Sequence, residues 1–195
     1  MPDRDLEAPP ALAARGGTGI GRPALFLDRD GVINVDTGYP HRPEELAFTS
    51  TAIDGVRLAN EAGCLVIVAT NQSGVSRGLF GLEAVDRFHD AIRARMAAAG
   101  ARIDAIYSCP YHPDGTVAAF RADHEDRKPR PGMLLRAMRE WPIDRARSLM
   151  VGDKPSDLAA AEAAGVAAIL VPANSCDLGA VVATWLGRIG GRAAA

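Results

Sequence analysis

Two carboxylates follow a short apolar run near the start of the chain, and their spacing is suited to binding a metal ion. Ala24–Leu27 predicts a buried strand, and Asp28 and Asp30 come directly after it. Side chains two positions apart on extended backbone point the same way, so these carboxylates can converge unless the chain bends between them. Converging carboxylates repel unless a cation or a shared proton separates them, and such oxygen ligands suit Mg2+. The alternative is an ordinary Asp/Gly turn.

Further polar groups follow later apolar runs. Thr70 comes where a hydroxyl and neighbouring N–H groups could bind a phosphoryl oxygen. Arg127 and Lys128 offer cations that would neutralise the charge of a transferring phosphoryl group. Asp153 is again an acid after an apolar run, with Asp157 one helical turn beyond it. Taken singly, these features also fit a polar loop, a solvated basic pair and a carboxylate that complements a helix dipole.

The elements that must position these residues alternate along the chain. Strands are predicted at 24–27, 64–69, 103–107, 146–151 and 166–171, and helices at 51–62, 82–99, 132–141, 156–164 and from 178 onward. This alternation predicts an α/β fold, a Rossmann-like parallel sheet with helices on both faces. Ligands of such sheets bind beyond the carboxyl ends of strands near a switch in strand order. The residues suited to chemistry fall at those ends.

Length and composition indicate one globular domain. The chain has 195 residues, 48% of them hydrophobic, and a net charge of -2. We expect a flexible leader at 1–22, a single domain at 23–190 and a frayed tail at 191–195. The charge argues against a nucleic-acid partner, and the longest apolar runs fall short of the roughly 20 residues that span a bilayer. Three widely spaced cysteines fit a reducing compartment. We therefore expect a cytoplasmic monomer without a membrane partner.

In combination, the motifs resemble the haloacid dehalogenase-like (HAD) superfamily of phosphatases. The residues that carry the resemblance are Asp28-Arg29-Asp30-Gly31, Thr70, Lys128 and Gly152-Asp153 with Asp157. The heptose-bisphosphate phosphatase and histidinol-phosphatase branch is more similar still. That similarity rests on Asp28 to Asn34, Thr70 to Gly74, Arg77-Gly78, Cys109-Pro110, Arg127 to Pro129, Pro131 to Met133 and Val151 to Lys154. The resemblance covers roughly residues 24–172.

The resemblance implies roles for the central residues. Asp28 would be the nucleophile that forms an aspartyl-phosphate, and Asp30 would protonate the leaving alkoxide and later deprotonate the attacking water. Mg2+ would be held by Asp28, the backbone carbonyl of Asp30 and Asp153. Thr70 and Lys128 would bind the phosphoryl oxygens.

Other residues would position the substrate or support these groups. The expected substrate-positioning residues are Asp36, Thr37, Gly38, Tyr39, Asn71, Gln72, Ser73, Arg127 and Lys154. Asp157 would orient Lys154 or Lys128 without itself contacting the substrate. The intervals from Gly31 to Thr70 and from Gly74 to Arg127 leave no room for a separate cap domain. We therefore expect an open site with the loop at 108–126 as one wall.

That loop departs from the pattern of the branch. The resemblance implies a structural zinc there, bound by a Cys-x-His pair and a Cys-x-Cys pair. The corresponding positions here are Cys109, Tyr111, His124 and Asp126. Tyr111 is not a usual zinc ligand, and both later cysteines are absent. His112 could complete a mixed set of Cys109, His112, His124 and Asp126, but the sequence favours a loop without zinc.

The resemblance implies a Mg2+-dependent phosphomonoesterase, first of all one that releases the 7-phosphate of D-glycero-D-manno-heptose 1,7-bisphosphate. The enzymatic alternative is a phosphatase of histidinol phosphate or of another small phosphorylated sugar. A more remote alternative is a phospho-accepting signalling domain, in which the phosphorylated Asp ends the third strand. Here the third predicted strand is followed by Ser108-Cys109-Pro110, without an acceptor Asp.

Overall fold

The computed structural model describes residues 21–190, so the predicted leader up to residue 20 and the predicted tail at 191–195 lie outside the described residues. Five strands and five helices alternate along the chain. The strands are β1 (Ala24–Leu27), β2 (Leu65–Asn71), β3 (Ala105–Cys109), β4 (Leu149–Gly152) and β5 (Ala167–Leu170). The helices are α1 (Ala52–Glu61), α2 (Leu82–Ala98), α3 (Gly132–Glu140), α4 (Pro155–Ala164) and α5 (Leu178–Gly190).

The five strands form one parallel sheet in the order β3-β2-β1-β4-β5. Leu25 of β1 pairs with Val66 of β2 on one side and with Leu149 of β4 on the other. The chain builds outward from β1 to β3 and then returns to the far side of β1. The strand order therefore switches between β1 and β4, the place where open α/β sheets bind ligands. The predicted fold class is confirmed.

Helices cover both faces of the sheet because the strands are apolar on both sides. Leu25 and Leu27 face a core layer with α1, α2 and α5, which includes Phe88 and Val182. Phe26, between them in sequence, faces the second layer with α3 and α4. This alternation follows from the two-residue period of a strand.

Two strands, β3 and β4, start two and three residues later than the sequence predicts, for local reasons. The side chain of Asp104 accepts the N–H of Val66 at 2.8 Å, so a carboxylate takes the place of a ladder carbonyl and β3 begins at Ala105. Asp144 Oδ1 accepts from the N–H groups of Ala146 and Arg147. That cap draws residues 145–147 into a 3-10 turn, and β4 begins at Leu149.

The connections at the carboxyl edge of the sheet contain little regular structure. Between β1 and α1 there is one 3-10 turn, Pro43–Glu45, and between β3 and α3 there is another, Ala118–Phe120. Within residues 21–190, neither connection contains a folded unit of its own, which agrees with the expected lack of a cap. No helix of this described range is both long and apolar enough to cross a membrane.

Candidate active site

Three carboxylates meet at the point where the strand order switches. Asp28 follows β1, Asp153 follows β4, and Asp157 lies in the first turn of α4. Potential ligand atoms of these three residues lie within 4.8 Å of one another, and within residues 21–190 they form the one such group of acidic, His or Cys side chains. Gly31 permits the close approach: it has φ +89, and a Cβ there would lie 2.6 Å from Asp153 Oδ2.

A buried ammonium group binds two of these carboxylates. Lys128 Nζ lies 3.0 Å from Asp28 Oδ1 and 2.7 Å from Asp157 Oδ1, and it donates to the Ala69 carbonyl at 2.7 Å. Burial lowers the pKa of Lys128, but Asp28 and Asp157 outweigh burial and raise the pKa above its ordinary value. The other oxygen of Asp157 accepts the backbone N–H of Lys154 at 3.0 Å. The Asp157 side chain therefore holds the ammonium group of Lys128 and the backbone of Lys154.

The carboxylates outnumber the buried cation, and this excess charge changes their proton affinity. Burial, with the nearby charges of Asp157 and Asp30, raises the pKa of Asp28 to about 6 against the opposing effect of Lys128. Burial and Asp157 also raise the pKa of Asp153, although Lys154 lowers it. A hard divalent cation would relieve this repulsion.

Mg2+ fits the residues present. The donors are carboxylate oxygens, which Mg2+ prefers. Asp153 Oδ1 is buried and has no hydrogen-bond partner among the described residues, so an acceptor is left for a ligand. Asp28 and Asp153 would hold the ion, and Asp157 would bind the ammonium group of Lys128.

The Asp30 carboxylate lies in a network of its own. Arg29 donates to both of its oxygens, from Nε at 2.9 Å and from Nη2 at 2.8 Å. Asn34 Nδ2 and Gln72 Nε2 donate to the same carboxylate at 2.9 and 3.0 Å. Burial raises the pKa of Asp30, but Arg29 and these hydrogen bonds outweigh burial and lower the pKa below its ordinary value. Arg29 belongs to this network and links it to His89. The spacing of residues in the sequence indicated neither of these two members.

The residues after β2 hold other parts of the site in place. Thr70 is 1% exposed, and its hydroxyl accepts from Gln72 Nε2 at 2.9 Å. The Asn71 amide donates to the Lys128 carbonyl at 2.9 Å and accepts the Lys128 N–H at 3.1 Å. Asn71 therefore holds the backbone of Lys128 in place, and Gln72 holds the hydroxyl of Thr70. Ser73 is half-buried at the start of the following turn.

The segment after β1 forms one rim of the site. Lys154 Nζ lies 3.5 Å from Asp36 Oδ2. Asn174, which sequence reasoning missed, accepts the Asp36 N–H at 2.6 Å and donates to the Asp36 carbonyl at 3.2 Å. The φ angle of Asn174 is 64, a left-handed value that Asn tolerates. Nothing in the sequence around Asn174 indicated its contact with Asp36. The three remaining predicted residues of this segment are exposed, namely Thr37, Gly38 and Tyr39.

A basic wall stands on the side of the loop at 108–126. Arg127 donates to the Tyr111 carbonyl at 3.2 Å, and Arg77 Nη2 lies 3.5 Å from His112 Nε2. Burial and the neighbouring charge of Arg77 lower the pKa of Arg127. Arg77 and His112 thus join Arg127 near the site, although the motif containing Arg77-Gly78 had not been given a role.

The four candidate zinc donors do not converge. The Cys109 thiol is buried, and burial raises its pKa. The rings of Tyr111 and His124 are stacked, with centroids 4.3 Å apart and planes 7° from parallel. Asp126 forms an ion pair with Arg136 at 3.0 Å. Within residues 21–190, no group of three or more candidate ligands includes these residues, so the side chains present do not fit a zinc ion.

Comparisons with known proteins agree with this geometry. Residues 126–183 match a family model described as HAD-hydrolase-like. The D-glycero-beta-D-manno-heptose-1,7-bisphosphate 7-phosphatase of Yersinia pestis is 47% identical over 144 residues, which are 74% of this chain and 77% of the relative. The enzyme of that name from Escherichia coli (strain K12) is 45% identical over 144 residues, 74% of this chain and 75% of the relative.

A solved structure is also similar. The crystal structure of D,D-heptose 1,7-bisphosphate phosphatase from B. bronchiseptica, complexed with magnesium and phosphate, has a TM-score of 0.74 and 32% identity. The alignment covers 85% of this chain and 99% of that chain. The chain belongs to the HAD-like phosphatases. It is accordingly a phosphoric monoester hydrolase, and HAD phosphatases use Mg2+.

Proposed function

We propose that this enzyme removes the 7-phosphate of D-glycero-D-manno-heptose 1,7-bisphosphate through an aspartyl-phosphate on Asp28. The observation that carries the proposed chemistry is the position of Lys128, bound to both Asp28 and Asp157 with Asp153 beside them. A carboxylate beside a buried ammonium group and a metal-binding neighbour suits attack on a phosphate dianion, since the cations offset the repulsion.

The proposed reaction has two steps in which atoms and charges balance. An oxygen of Asp28 attacks phosphorus, and the bond from phosphorus to the sugar oxygen breaks. The bound phosphate dianion raises the pKa of Asp30, which Arg29 lowers in the free enzyme, so Asp30 enters the step protonated and gives its proton to the leaving alkoxide. Water then attacks the phosphorus of the aspartyl-phosphate and gives a proton back to Asp30. Inorganic phosphate leaves, and Asp28 is regenerated. Thr70 and Lys128 bind the phosphoryl oxygens in both steps.

Mg2+, held by Asp28, Asp153 and the backbone carbonyl of Asp30, would neutralise charge on the phosphoryl group. The surrounding residues have supporting roles. Asp157 orients Lys128, as its 2.7 Å contact indicates. Asn71 positions Lys128 through the backbone.

The rim provides the substrate contacts. Arg127 and Lys154 are cations beside the reacting groups and suit a substrate with a second phosphate group. The segment Asp36–Tyr39 supplies exposed polar groups for the sugar hydroxyls, and Ser73 lies at the turn after Gln72. The names of the relatives from Yersinia pestis and Escherichia coli support a heptose bisphosphate as this substrate.

We further propose a cytoplasmic monomer whose loop at 108–126 works without zinc. The three described cysteines are all free and buried, which fits a reducing compartment. The net charge of -2 gives no support to a nucleic-acid partner. Light scattering coupled to size-exclusion chromatography tests the monomer.

A substrate panel tests the proposed function. We expect the highest kcat/KM for a heptose 1,7-bisphosphate anomer, with lower values for histidinol phosphate and shorter sugar phosphates. Asp28→Asn should abolish turnover of every substrate, because the amide cannot form the acyl phosphate. Asp54→Asn, the same change at an exposed position of α1, should leave kcat/KM unchanged. A preference for histidinol phosphate would overturn the substrate assignment, and substantial activity of Asp28→Asn would overturn the nucleophile.

A further inference from the structure

A buried arginine separates the two carboxylates of the first motif, and the proposed mechanism gives it no role. The Arg29 side chain is 1% exposed although it carries a full charge. It forms the two-pronged contact to Asp30, and its Nη2 also donates to the Pro40 carbonyl at 2.9 Å. A buried guanidinium group is costly unless its donors are satisfied. The contacts of Arg29 therefore show which groups the side chain positions.

Helix α2 supplies the remaining partners of this guanidinium group. Arg29 Nη1 lies 3.3 Å from His89 Nε2, and Arg29 Cζ lies 4.6 Å from the centre of the Phe88 ring. An arginine only donates hydrogen bonds, so His89 Nε2 must accept and the imidazole must be neutral with its proton on Nδ1. Burial and the charge of Arg29 lower the pKa of His89 to about 3, which keeps the ring neutral.

The network fixes Asp30 from two sides. Arg29 holds both oxygens, while Asn34 and Gln72 each hold one. His89 and Phe88 in turn limit the positions open to the guanidinium group. A carboxylate bound by several directed donors has little rotational freedom. Helix α2, an element that contributes no group to the carboxylate cluster, thus helps to set the position of Asp30 through Arg29.

We propose that Arg29 and His89 are positioning residues for the leaving-group proton: His89 fixes Arg29, and Arg29 fixes the Asp30 carboxylate beside the scissile bond. This inference rests on the proposed role of Asp30. Neither positioning residue touches the substrate. Loss of either one leaves Asp28, Lys128 and the metal site in place but allows Asp30 to adopt other positions.

The proposal makes a prediction that depends on the leaving group. A sugar or alkyl phosphate needs a proton on its poor leaving group, whereas p-nitrophenyl phosphate releases a stable phenolate and hardly needs one. The kcat/KM value covers only the steps up to release of the alcohol, so hydrolysis of the aspartyl-phosphate does not affect it. Removing the acceptor with His89→Leu should lower kcat/KM for the alkyl substrate about tenfold more than for p-nitrophenyl phosphate.

Three further variants complete the experiment. His89→Gln offers Arg29 a carbonyl acceptor and should restore most of the lost alkyl-phosphate activity. Arg29→Lys keeps the charge without the two-pronged contact, so it should show the same leaving-group dependence and provides an independent test if His89→Leu folds poorly. Ile92→Val trims a core side chain one turn along α2 and should leave the ratio of the two kcat/KM values unchanged.

Asp30→Asn separates the possible results. If Asp30→Asn shows strong leaving-group dependence while His89→Leu and Arg29→Lys lose both activities equally, the two residues are only structural and the inference fails. If Asp30→Asn itself shows no such dependence, the proposed role of Asp30 fails as well. Leaving-group dependence in all three variants, with rescue by His89→Gln, supports the inference.

Discussion

The carboxylate cluster and the loop after β3 both contain candidate metal ligands, but the two regions are stabilised in different ways. At the cluster, Asp28, Asp153 and Asp157 converge, and like charges lie together around Lys128. In the loop, the candidate ligands lie apart, and the contact between Tyr111 and His124 is a flat ring stack. The first arrangement is incomplete without a cation, and the second is held by contacts between its own side chains.

The difference favours a metal dependence of the carboxylate cluster and gives no support to a metal dependence of the loop. Concentrated, buried negative charge favours a bound cation, since each ionised carboxylate raises the pKa of the next. Stacked rings and the Asp126–Arg136 ion pair give their stabilisation without one. The carboxylate cluster should therefore be sensitive to metal removal, and the loop should be sensitive to changes in its aromatic side chains.

Metal removal should give the largest contrast. EDTA should abolish phosphatase activity, because the carboxylate cluster depends on a cation, and Mg2+ alone should restore it fully. Elemental mass spectrometry of the purified protein should find no stoichiometric zinc, because the loop ligands do not converge. Recovery that requires added zinc, or one zinc per chain, would contradict this view of the loop.

Removal of the buried ammonium group should have the next largest effect. Lys128→Met leaves two buried carboxylates without their cation, so we expect a loss of about 3–5 kcal/mol in the free energy of unfolding and loss of activity. Lys154→Met is the matched control: its side chain is 53% exposed, and an exposed ion pair contributes about 0–1 kcal/mol. Urea unfolding measures both variants, and equal losses would show that burial of Lys128 carries no special weight.

The acid side of the stability profile tests the network behind the site. The pKa of His89 falls from 6.5 to about 3 on folding, so below pH 6.5 the unfolded chain binds a proton that the folded chain does not. The contribution of His89 to stability should then fall as the pH falls, by about 1.4 kcal/mol per pH unit, whereas the raised pKa of Asp28 acts in the opposite direction. His89→Gln should remove the His89 contribution between pH 6 and about 5. A pH dependence of stability in His89→Gln equal to that of the unmodified protein would refute the assignment.

Disruption of the ring stack should have the smallest effect. Tyr111→Ala should lower stability by about 0.5–1.5 kcal/mol beyond the loss of buried area. It should also raise KM for the phosphorylated sugar with little change in kcat, because loss of the ring stack lets the loop backbone shift, and the Tyr111 carbonyl of that backbone anchors Arg127. Tyr111→Phe keeps the ring and should behave like the unmodified enzyme in thermal unfolding and kinetics. A lower kcat in Tyr111→Ala would mean that the loop acts on the chemical step as well.

Local sequence patterns specify the helices and strands and the types of reactive groups. Apolar runs followed by Asp28, Thr70 and Asp153 predicted strands with polar ends, and the parallel sheet brings those ends to one edge. This part was readable because a strand and its last residues are local in sequence. The departure of Tyr111 from the zinc pattern was equally visible, since it depends on residue type alone.

The partners of these groups, in contrast, follow from the packing of the folded chain. The sequence left Asp157 between two lysines, and the fold places its side chain on the ammonium group of Lys128 and the backbone of Lys154. Spacing alone allowed Asp30 to converge with Asp28, whereas the structure binds its carboxylate to Arg29 in a network that ends at His89. The contacts of Lys128 with Asp157 and of Arg29 with His89 join residues that are far apart in sequence, so they depend on how the helices pack against the sheet, which no local pattern records.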